Sequence, residues 1–406
     1  MTSAPAHETT AAQLRQIRDH SRFSRRVRKD ETVLYFGRSD FADNTKYAYL
    51  NAVARADGPR PMWCTTSDSL YGQLSDAGLP VFHLMADADA TIDLLLHASA
   101  GVFCVNPFES LGGSDVLTSL LDGAVKVQLW HGVSVKHLLL RLARHLPVRD
   151  PSLRVPWEFA VRADYVLSTA EIFDEYWSSV FGSPYLVRAG MPRNEVLLRD
   201  PSPTELIGAT TQAVQLPTAD RRRPAVLLVP TWQRPNGRQT LADETFLELC
   251  SVLGAEDDID IYLKLHPVYR VEKDRQVGRL HLIPSGVDIY PHMRHFDVLV
   301  TDYSSIMFDY LHVDKPILRL DMSNMFRQTF EPDFSLVPDV EFADLFTLPT
   351  FPDVLRRVLA DDRRGDQRRL MRDLVFGSDP SKAAGRVVDL VNDLARQRAR
   401  PAFEVV

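Results

Sequence analysis

The chain has 406 residues, of which 45% are hydrophobic and 25% charged, and this composition is typical of a globular protein with two domains of ordinary size. The formal net charge of −7 argues against nucleic-acid binding. The three cysteines lie far apart, and their spacing matches neither a metal site nor a disulfide framework. We therefore expect a protein of the reducing cytosol that uses no metal ion and no cofactor.

The N-terminal region, residues 1–30, is rich in alanine and threonine and then becomes basic. Its apolar face is thin, so we expect a solvated or disordered arm; attraction to anionic lipid head groups is the alternative. The first ten residues lack the apolar core of a signal peptide, and no stretch reaches the roughly 18 apolar residues of a membrane-spanning helix. The sequence thus predicts a cytoplasmic location, with at most peripheral contact to the inner face of the membrane.

Residues 31–200 are predicted to form a first domain in which short strands alternate with helices, the pattern of βαβ units around a parallel sheet. The predicted strands cover 32–36, 62–64, 81–84, 101–105, 126–130, 165–168 and 185–187. Between the fifth and sixth strands, residues 136–149 mix basic residues with leucines. This pattern fits either an amphipathic helix packed on the domain or a surface that lies on a membrane or guides an anionic polymer.

Residues 201–224 are rich in proline and contain a run of arginines, so they are predicted to be a linker. A second domain is predicted over 225–406. Its predicted strands cover 225–229, 260–265, 280–283, 298–300 and 317–320, and its predicted helices cover 246–253, 306–313, 351–359, 368–376 and 386–397. The expected fold is therefore α/β, with two Rossmann-like parallel-sheet domains that face a cleft.

Ligands of open α/β sheets bind beyond the carboxyl ends of the strands, and two polar turns occupy such positions here. Ser304 and Ser305 stand where the predicted helix 306–313 begins, and a helix N-terminus favours phosphate; a simple N-cap is the alternative. His131 follows a strand and precedes Gly132, which permits close backbone approach. A histidine there suits general-base chemistry, although a structural role is the alternative. No Gly-x-Gly-x-x-Gly sequence follows a strand, which argues against a dinucleotide redox enzyme.

The segment 301–310, followed by Asp314-Lys315-Pro316, resembles the signature of the CDP-glycerol glycerophosphotransferases, the transferases and polymerases of teichoic acid and capsule polymers. Four further segments agree with this family in its order. They are 130–132, 190–194, 230–232 and 264–267. The resemblance extends from about residue 35 to about residue 388 and implies the two-domain GT-B glycosyltransferase architecture.

The resemblance also implies roles for two histidines. His131 would be the catalytic base that takes the proton from the acceptor hydroxyl. His266, at the end of a strand in the second domain, would contact the pyrophosphate of the donor and stabilise the departing CMP. Ser304 and Ser305 would bind phosphate from the same domain.

Five further residues belong to segments that the resemblance covers. Arg193 and Asn194 share one loop, in which Arg193 would either bind phosphate or join the two domains by a salt bridge. Thr231 would donate a hydrogen bond to the pyrophosphate. Arg234 is a candidate phosphate ligand, although family members place an arginine directly after the tryptophan and here one residue intervenes. Asp302 is expected to orient the serine turn.

The expected reaction transfers glycerol phosphate, or a related polyol phosphate, from CDP-glycerol or another CDP-alcohol to a hydroxyl of a teichoic-acid or capsule-type acceptor, which is lipid-linked or a glycan. CMP is the leaving group. Two other interpretations remain open from the sequence. One is a nucleotide-sugar glycosyltransferase of the same architecture, and the other is a non-catalytic polymer-binding homologue.

Overall fold

A computed structural model describes residues 11–37, 40–133, 161–231, 244–264, 280–321, 335–377 and 379–400. The described residues form two parallel sheets. The strands are β1 Thr32–Phe36, β2 Arg60–Thr65, β3 Val81–His83, β4 Ala100–Phe103, β5 Val125–Gln128, β6 Tyr165–Ser168, β7 Tyr185–Arg188, β8 Ala225–Val229, β9 Asp260–Lys264, β10 His281–Ile283, β11 Val298–Thr301, β12 Ile317–Leu320 and β13 Asp344–Phe346. The predicted α/β fold with two parallel-sheet domains is confirmed.

Helices cover the faces of both sheets. The α-helices are α1 Ala11–Arg26, α2 Asp43–Val53, α3 Asp68–Asp76, α4 Ala88–His97, α5 Pro107–Ser110, α6 Asp115–Leu120, α7 Asp174–Phe181, α8 Glu244–Glu256, α9 Tyr290–Met293, α10 Ile306–Asp309, α11 Phe351–Ala360, α12 Gly365–Phe376 and α13 Ala383–Ala399. The 3₁₀ turns are Leu121–Gly123, Glu171–Phe173, Pro192–Leu197, Tyr310–His312, Leu348–Thr350 and Pro380–Lys382. Among the described residues, no helix is both long and apolar enough to cross a bilayer.

The strand order places the switch points of the two sheets. The first sheet runs β3-β2-β1-β4-β5-β6-β7 and the second β10-β9-β8-β11-β12-β13, and all pairs are parallel. The order reverses between β1 and β4 in the first sheet and between β8 and β11 in the second. The carboxyl ends of these strands are where an open α/β sheet binds its ligand.

The central strands are buried on both faces, which explains why they read as continuous apolar runs. Val33 and Tyr35 of β1 belong to one apolar cluster, and Leu34 and Phe36 belong to another on the opposite face. The first of these clusters extends into the second domain, where it includes Leu299 of β11. The core therefore joins the domains.

Helix α1 differs from the sequence-based expectation. Leu14 and Ile17 are buried, as are Ser21 and Ser24, so the helix is packed on the first domain. The Ser24 hydroxyl donates to the carbonyl of Leu120. The expected solvated or disordered arm is wrong for residues 11–29. The physical reason is that two serines complete a face that contains only two apolar residues, because their hydroxyls find hydrogen-bond partners in the domain.

The last helix, α13, packs against α2 and against strands β1, β4 and β5 of the first sheet. Val387 and Val391 lie in the same apolar cluster as the residues of β1. The chain thus returns to the first domain at its end, although the predicted boundaries assign 225–406 to the second. Those boundaries stay a prediction, and the predicted segment 136–149 lies outside the described residues.

Candidate active site

The loop after β5 holds His131 in a constrained backbone. Trp130 has a φ of +52°, a left-handed conformation that is uncommon for a bulky residue. The amide of Asn44 on α2 donates to the Trp130 carbonyl at 2.8 Å. The His131 Nδ1 lies 2.9 Å from the carbonyl oxygen of Cys104, so Nδ1 carries the proton and donates it. In the neutral ring the lone pair is then on Nε2, the nitrogen that a general base would use.

Gly132 brings the histidine loop against the second domain. Its φ is +142°, and a Cβ at this position would lie 2.3 Å from the Ser305 Oγ and 3.3 Å from Nη2 of Arg193. A side chain here would collide with the serine turn, so the close approach requires glycine. The structure therefore brings together Gly132, Ser305 and Arg193, three residues that the sequence analysis singled out separately.

The serine turn lies between β11 and α10. Ser305 is the residue before α10, and its hydroxyl makes no capping hydrogen bond to that helix. The expected helix over 306–313 is α10 continued by the 3₁₀ turn Tyr310–His312. Ser304 and Ser305 stand at the helix start, as predicted, and both are half-buried. The backbone N–H groups of Met307 and Phe308 donate to the carbonyls of Ser304 and Ser305 at 3.2 and 3.0 Å, so phosphate binding by the two hydroxyls stays a prediction.

The fully buried Asp302 ties the serine turn to the loop after β8. Both of its carboxylate oxygens accept from the backbone N–H of Thr231 at 3.0 Å, and one accepts from the N–H of Tyr303 at 2.7 Å. The Thr231 hydroxyl also donates to Asp302. Because this proton is used inside the protein, the predicted donation from Thr231 to pyrophosphate would require the hydroxyl to rotate.

Arg193 is buried and joins the two domains through ion pairs. One terminal nitrogen lies 2.8 Å from Asp43 of α2, and the other lies 2.6 Å from Asp309 of α10. The second nitrogen also donates to the His131 carbonyl at 3.0 Å. The Tyr290 ring stacks 4.6 Å from the guanidinium, and its hydroxyl donates to Asp309. Of the two roles left open for Arg193, the interdomain salt bridge is the arrangement that the structure contains.

The carboxylates decide the ionisation of this arginine. Burial alone would lower the pKa of Arg193, but Asp309, Tyr290 and Asp43 together outweigh that effect and hold the pKa above its ordinary value. The guanidinium is thus a permanent positive charge that is hydrogen-bonded to the main-chain carbonyl of His131, the candidate base. Arg193 fixes the position of the histidine loop while it holds the domains together.

Sequence reasoning missed Asn44, Asp43 and Asp309 as site residues. Asn44 is fully buried; it donates to Trp130 and accepts from the Arg193 backbone N–H at 3.2 Å. The signal was present, because the two residues follow β1 at the switch point of the first sheet. Asn194 is also fully buried, and its side-chain amide has no hydrogen-bond partner among the described residues.

Lys264 ends β9, which lies between β8 and β10, and its ammonium donates to the carbonyls of Ser285 and Val287 at 3.0 and 2.7 Å. Burial lowers the pKa of Lys264 to about 8. His266 and Arg234 lie outside the described residues, so their predicted place across the cleft from His131 stays a prediction.

Comparisons with known proteins support the resemblance seen in the sequence. The family model described as CDP-glycerol:poly(glycerophosphate) glycerophosphotransferase matches residues 20–393. A teichoic acid poly(glycerol phosphate) polymerase of Bacillus subtilis (strain 168) is 26% identical over 206 residues, which cover 47% of this chain and 26% of that protein. The chain therefore matches about a quarter of the length of this curated relative.

Solved structures agree on the fold. A variant of the wall teichoic acid polymerase TagF soaked with CDPG matches with a TM-score of 0.68 and 20% identity, covering 96% of this chain and 94% of that one. A calicheamicin glycosyltransferase matches with a TM-score of 0.51 and 13% identity, covering 92% and 100%. These likenesses confirm the predicted GT-B-like arrangement of two Rossmann-like domains. Since the family model spans nearly the whole chain, the protein belongs to the CDP-glycerol:poly(glycerophosphate) glycerophosphotransferase family.

Proposed function

We propose that this protein transfers glycerol phosphate, or a related polyol phosphate, from a CDP-activated donor to a hydroxyl of a teichoic-acid-type acceptor. The observation that carries the proposal is the contact between Gly132 and Ser305. It brings the loop of His131, after β5 in one domain, next to the serine turn after β11 in the other. A transfer reaction needs a base beside the nucleophile and hydrogen-bond donors beside the phosphate; in this proposal His131 would be the base and the serine turn would provide the donors.

In the proposed reaction, Nε2 of His131 takes the proton of the acceptor hydroxyl. The acceptor oxygen forms a bond to the β-phosphorus of the donor, and the bond from that phosphorus to the bridging oxygen breaks. CMP leaves with the bridging oxygen. Ser304 and Ser305 would hold the phosphate oxygens, and His266 would stabilise the departing CMP. Positioning and electrostatic stabilisation would provide most of the rate.

The test is CMP release from CDP-glycerol and other CDP-alcohols, with and without a polyol-phosphate primer. His131→Ala should reduce primer-dependent CMP release by about 100-fold or more, because general-base catalysis is lost. His97→Ala is the matched control, since His97 lies on α4 and is 43% exposed. Unchanged activity of His131→Ala would contradict the assignment of the base. Transfer from UDP-sugars without any CMP release would favour the glycosyltransferase alternative.

We also propose that the acceptor is lipid-linked and that the protein works at the inner face of the membrane. The support is the outer face of α1, where Arg15, Arg18, Arg22 and Arg26 are exposed and Phe23 is 57% exposed. A helix with cations and an aromatic residue on its outer face suits an anionic lipid surface. Replacing Arg15, Arg18 and Arg22 by glutamine should weaken sedimentation with phosphatidylglycerol vesicles; unchanged sedimentation would contradict this proposal.

A further inference from the structure

A charged cavity lies at the end of the first sheet that is remote from the candidate active site. Its volume is about 370 Å³. Val125 at the start of β5 and Asp164 just before β6 line it, together with the C-terminal ends of α1 and α13. His131 follows the other end of β5, so the length of that strand separates the cavity from the histidine loop.

Positive charge predominates in the lining of this cavity. The charged lining residues are four cations and two carboxylates: Arg25, Lys126, Arg162, Arg398, Asp122 and Asp164. The carboxylate of Asp122 already forms two ion pairs, with Lys126 at 2.7 Å and with Arg25 at 2.6 Å. Asp164 accepts from the backbone N–H of Lys126 at 2.9 Å.

Two arginines retain binding capacity. Within the described part of the chain, neither Arg162 nor Arg398 has a carboxylate at ion-pair distance, and Arg398 donates only its Nε, to the Gly123 carbonyl at 2.8 Å. The terminal nitrogens of both guanidinium groups therefore remain able to bind an anion. A guanidinium presents paired N–H groups whose geometry matches two oxygens of a phosphate.

Lys29 lies just behind the wall of the cavity, where it faces the positive charge of Arg398. It is buried, and a Cβ on the lining residue Gly123 would lie 2.5 Å from its ammonium nitrogen. Burial, the largest cause, and next the charge of Arg398 lower the pKa of Lys29 to about 8, against the opposing effect of Asp122 and Asp30. An anion in the cavity would relieve the repulsion between Arg398 and Lys29.

We propose that this cavity is a second binding site, for a small phosphate ester, in which Arg162 and Arg398 hold the phosphate. The volume is in the range of small-ligand pockets and exceeds what a bare phosphate would fill. The ligand is either free in solution or the head group of an anionic phospholipid, since both present the same phosphate group. In either case the site is distinct from the one that contains His131.

The experiment uses the full chain and a double variant, Arg162→Gln with Arg398→Gln. The matched control is Arg60→Gln with Arg363→Gln, which removes the same charge from exposed positions outside the cavity. One arm titrates inorganic phosphate and sn-glycerol 3-phosphate by calorimetry. The other arm measures sedimentation with vesicles of phosphatidylglycerol in phosphatidylcholine, and with phosphatidylcholine alone.

The double variant should weaken binding by about tenfold or more, because it removes charge-assisted hydrogen bonds to the phosphate, whereas the control should bind like the wild type. Loss in the calorimetric arm identifies a free phosphate ester, and loss confined to phosphatidylglycerol vesicles identifies a lipid head group. Absence of binding by the wild type in both arms would overturn the proposal, as would equal binding by the double variant and the control. If the melting temperature of the double variant falls, binding by the single variant Arg162→Gln is compared with the wild type instead, since Arg162 is exposed.

Discussion

Two buried cations join the domains, and their surroundings differ. The Lys46 ammonium lies 2.8 Å from Asp288 and donates to the carbonyls of Glu205 and Ile207 at 2.7 and 3.0 Å, so all three of its protons are used. Arg193 also pairs with carboxylates of both domains, but its Nε and the Asp309 Oδ1 have no hydrogen-bond partner among the described residues. Both clusters are buried at the same interface.

This difference separates a structural cluster, that of Lys46, from one that belongs to the candidate active site, that of Arg193. A fully satisfied buried ion pair holds its elements in one arrangement, and nothing is left for a ligand. In the Arg193 cluster, which contacts the His131 carbonyl, two buried polar atoms have no hydrogen-bond partner among the described residues. Asn194, whose side-chain amide also lacks a partner there, follows Arg193 in the sequence. Buried polar groups without partners are rare and are found where water or a ligand completes them. The comparison therefore predicts a stability role for Lys46 and a mixed role for Arg193.

The largest effect on stability is expected for Lys46→Met. It would leave Asp288 charged and buried without the ammonium that pairs with it, and losing one partner of a buried pair costs about 3–5 kcal/mol. Tyr47 would then be the remaining donor to that carboxylate among the side chains described. The free energy of unfolding in urea measures the change. Lys382→Met at an exposed position is the control, and a similar loss in both variants would contradict a special role for Lys46.

The next largest effect is expected for Arg193→Lys. The charge is kept, but an ammonium cannot reach both carboxylates and the His131 carbonyl with the geometry of a guanidinium. We expect a loss of about 1–3 kcal/mol in stability, the cost of hydrogen bonds to charged groups. CMP release should fall by a larger factor than this loss of folded protein explains. A variant that loses stability but keeps full activity would show that Arg193, like Lys46, has only a structural role.

A comparable effect on stability is expected for Asn44→Ala, which removes the amide that holds Trp130 and accepts from the Arg193 backbone. One or two lost hydrogen bonds correspond to about 1–3 kcal/mol. Because the histidine loop would no longer be held, the pH profile of CMP release should also change. Asn44→Asp keeps the acceptor for Arg193 but not the donor to Trp130. An unaltered pH profile in both variants would contradict a positioning role for Asn44.

The smallest effect at neutral pH concerns His312, one helical turn after Asp309. Burial lowers the pKa of His312 from 6.5 to about 4, so between these values the unfolded chain binds more protons than the folded protein. Stability should therefore decrease as the pH falls from 6.5 to 4, by at most about 1.4 kcal/mol per pH unit from this residue. His312→Leu should make the curve of unfolding free energy against pH flatter. An unchanged slope would contradict this assignment, and His97→Ala is the exposed control.

The fold was largely predictable because its signals are local. Apolar runs such as Val298–Thr301 and the alternation with helices predicted both parallel sheets. Strand β13 escaped prediction, since Asp344–Phe346 is three residues long and only one of its side chains is a buried apolar group. Helix α1 was misjudged because serines, not apolar residues, complete its buried face.

The candidate active site likewise contains features with a local sequence signal and features without one. The strand ends and the residue types placed there were predictable from the sequence alone: His131 and Gly132 after β5, and Asp302, Ser304 and Ser305 after β11. The pairing of Arg193 with Asp43 and Asp309, and the packing of Gly132 against Ser305, became visible in the folded protein. The physical reason is that strand and helix patterns depend on neighbouring residues, whereas an ion pair between residues more than a hundred positions apart depends on how two sheets are brought together.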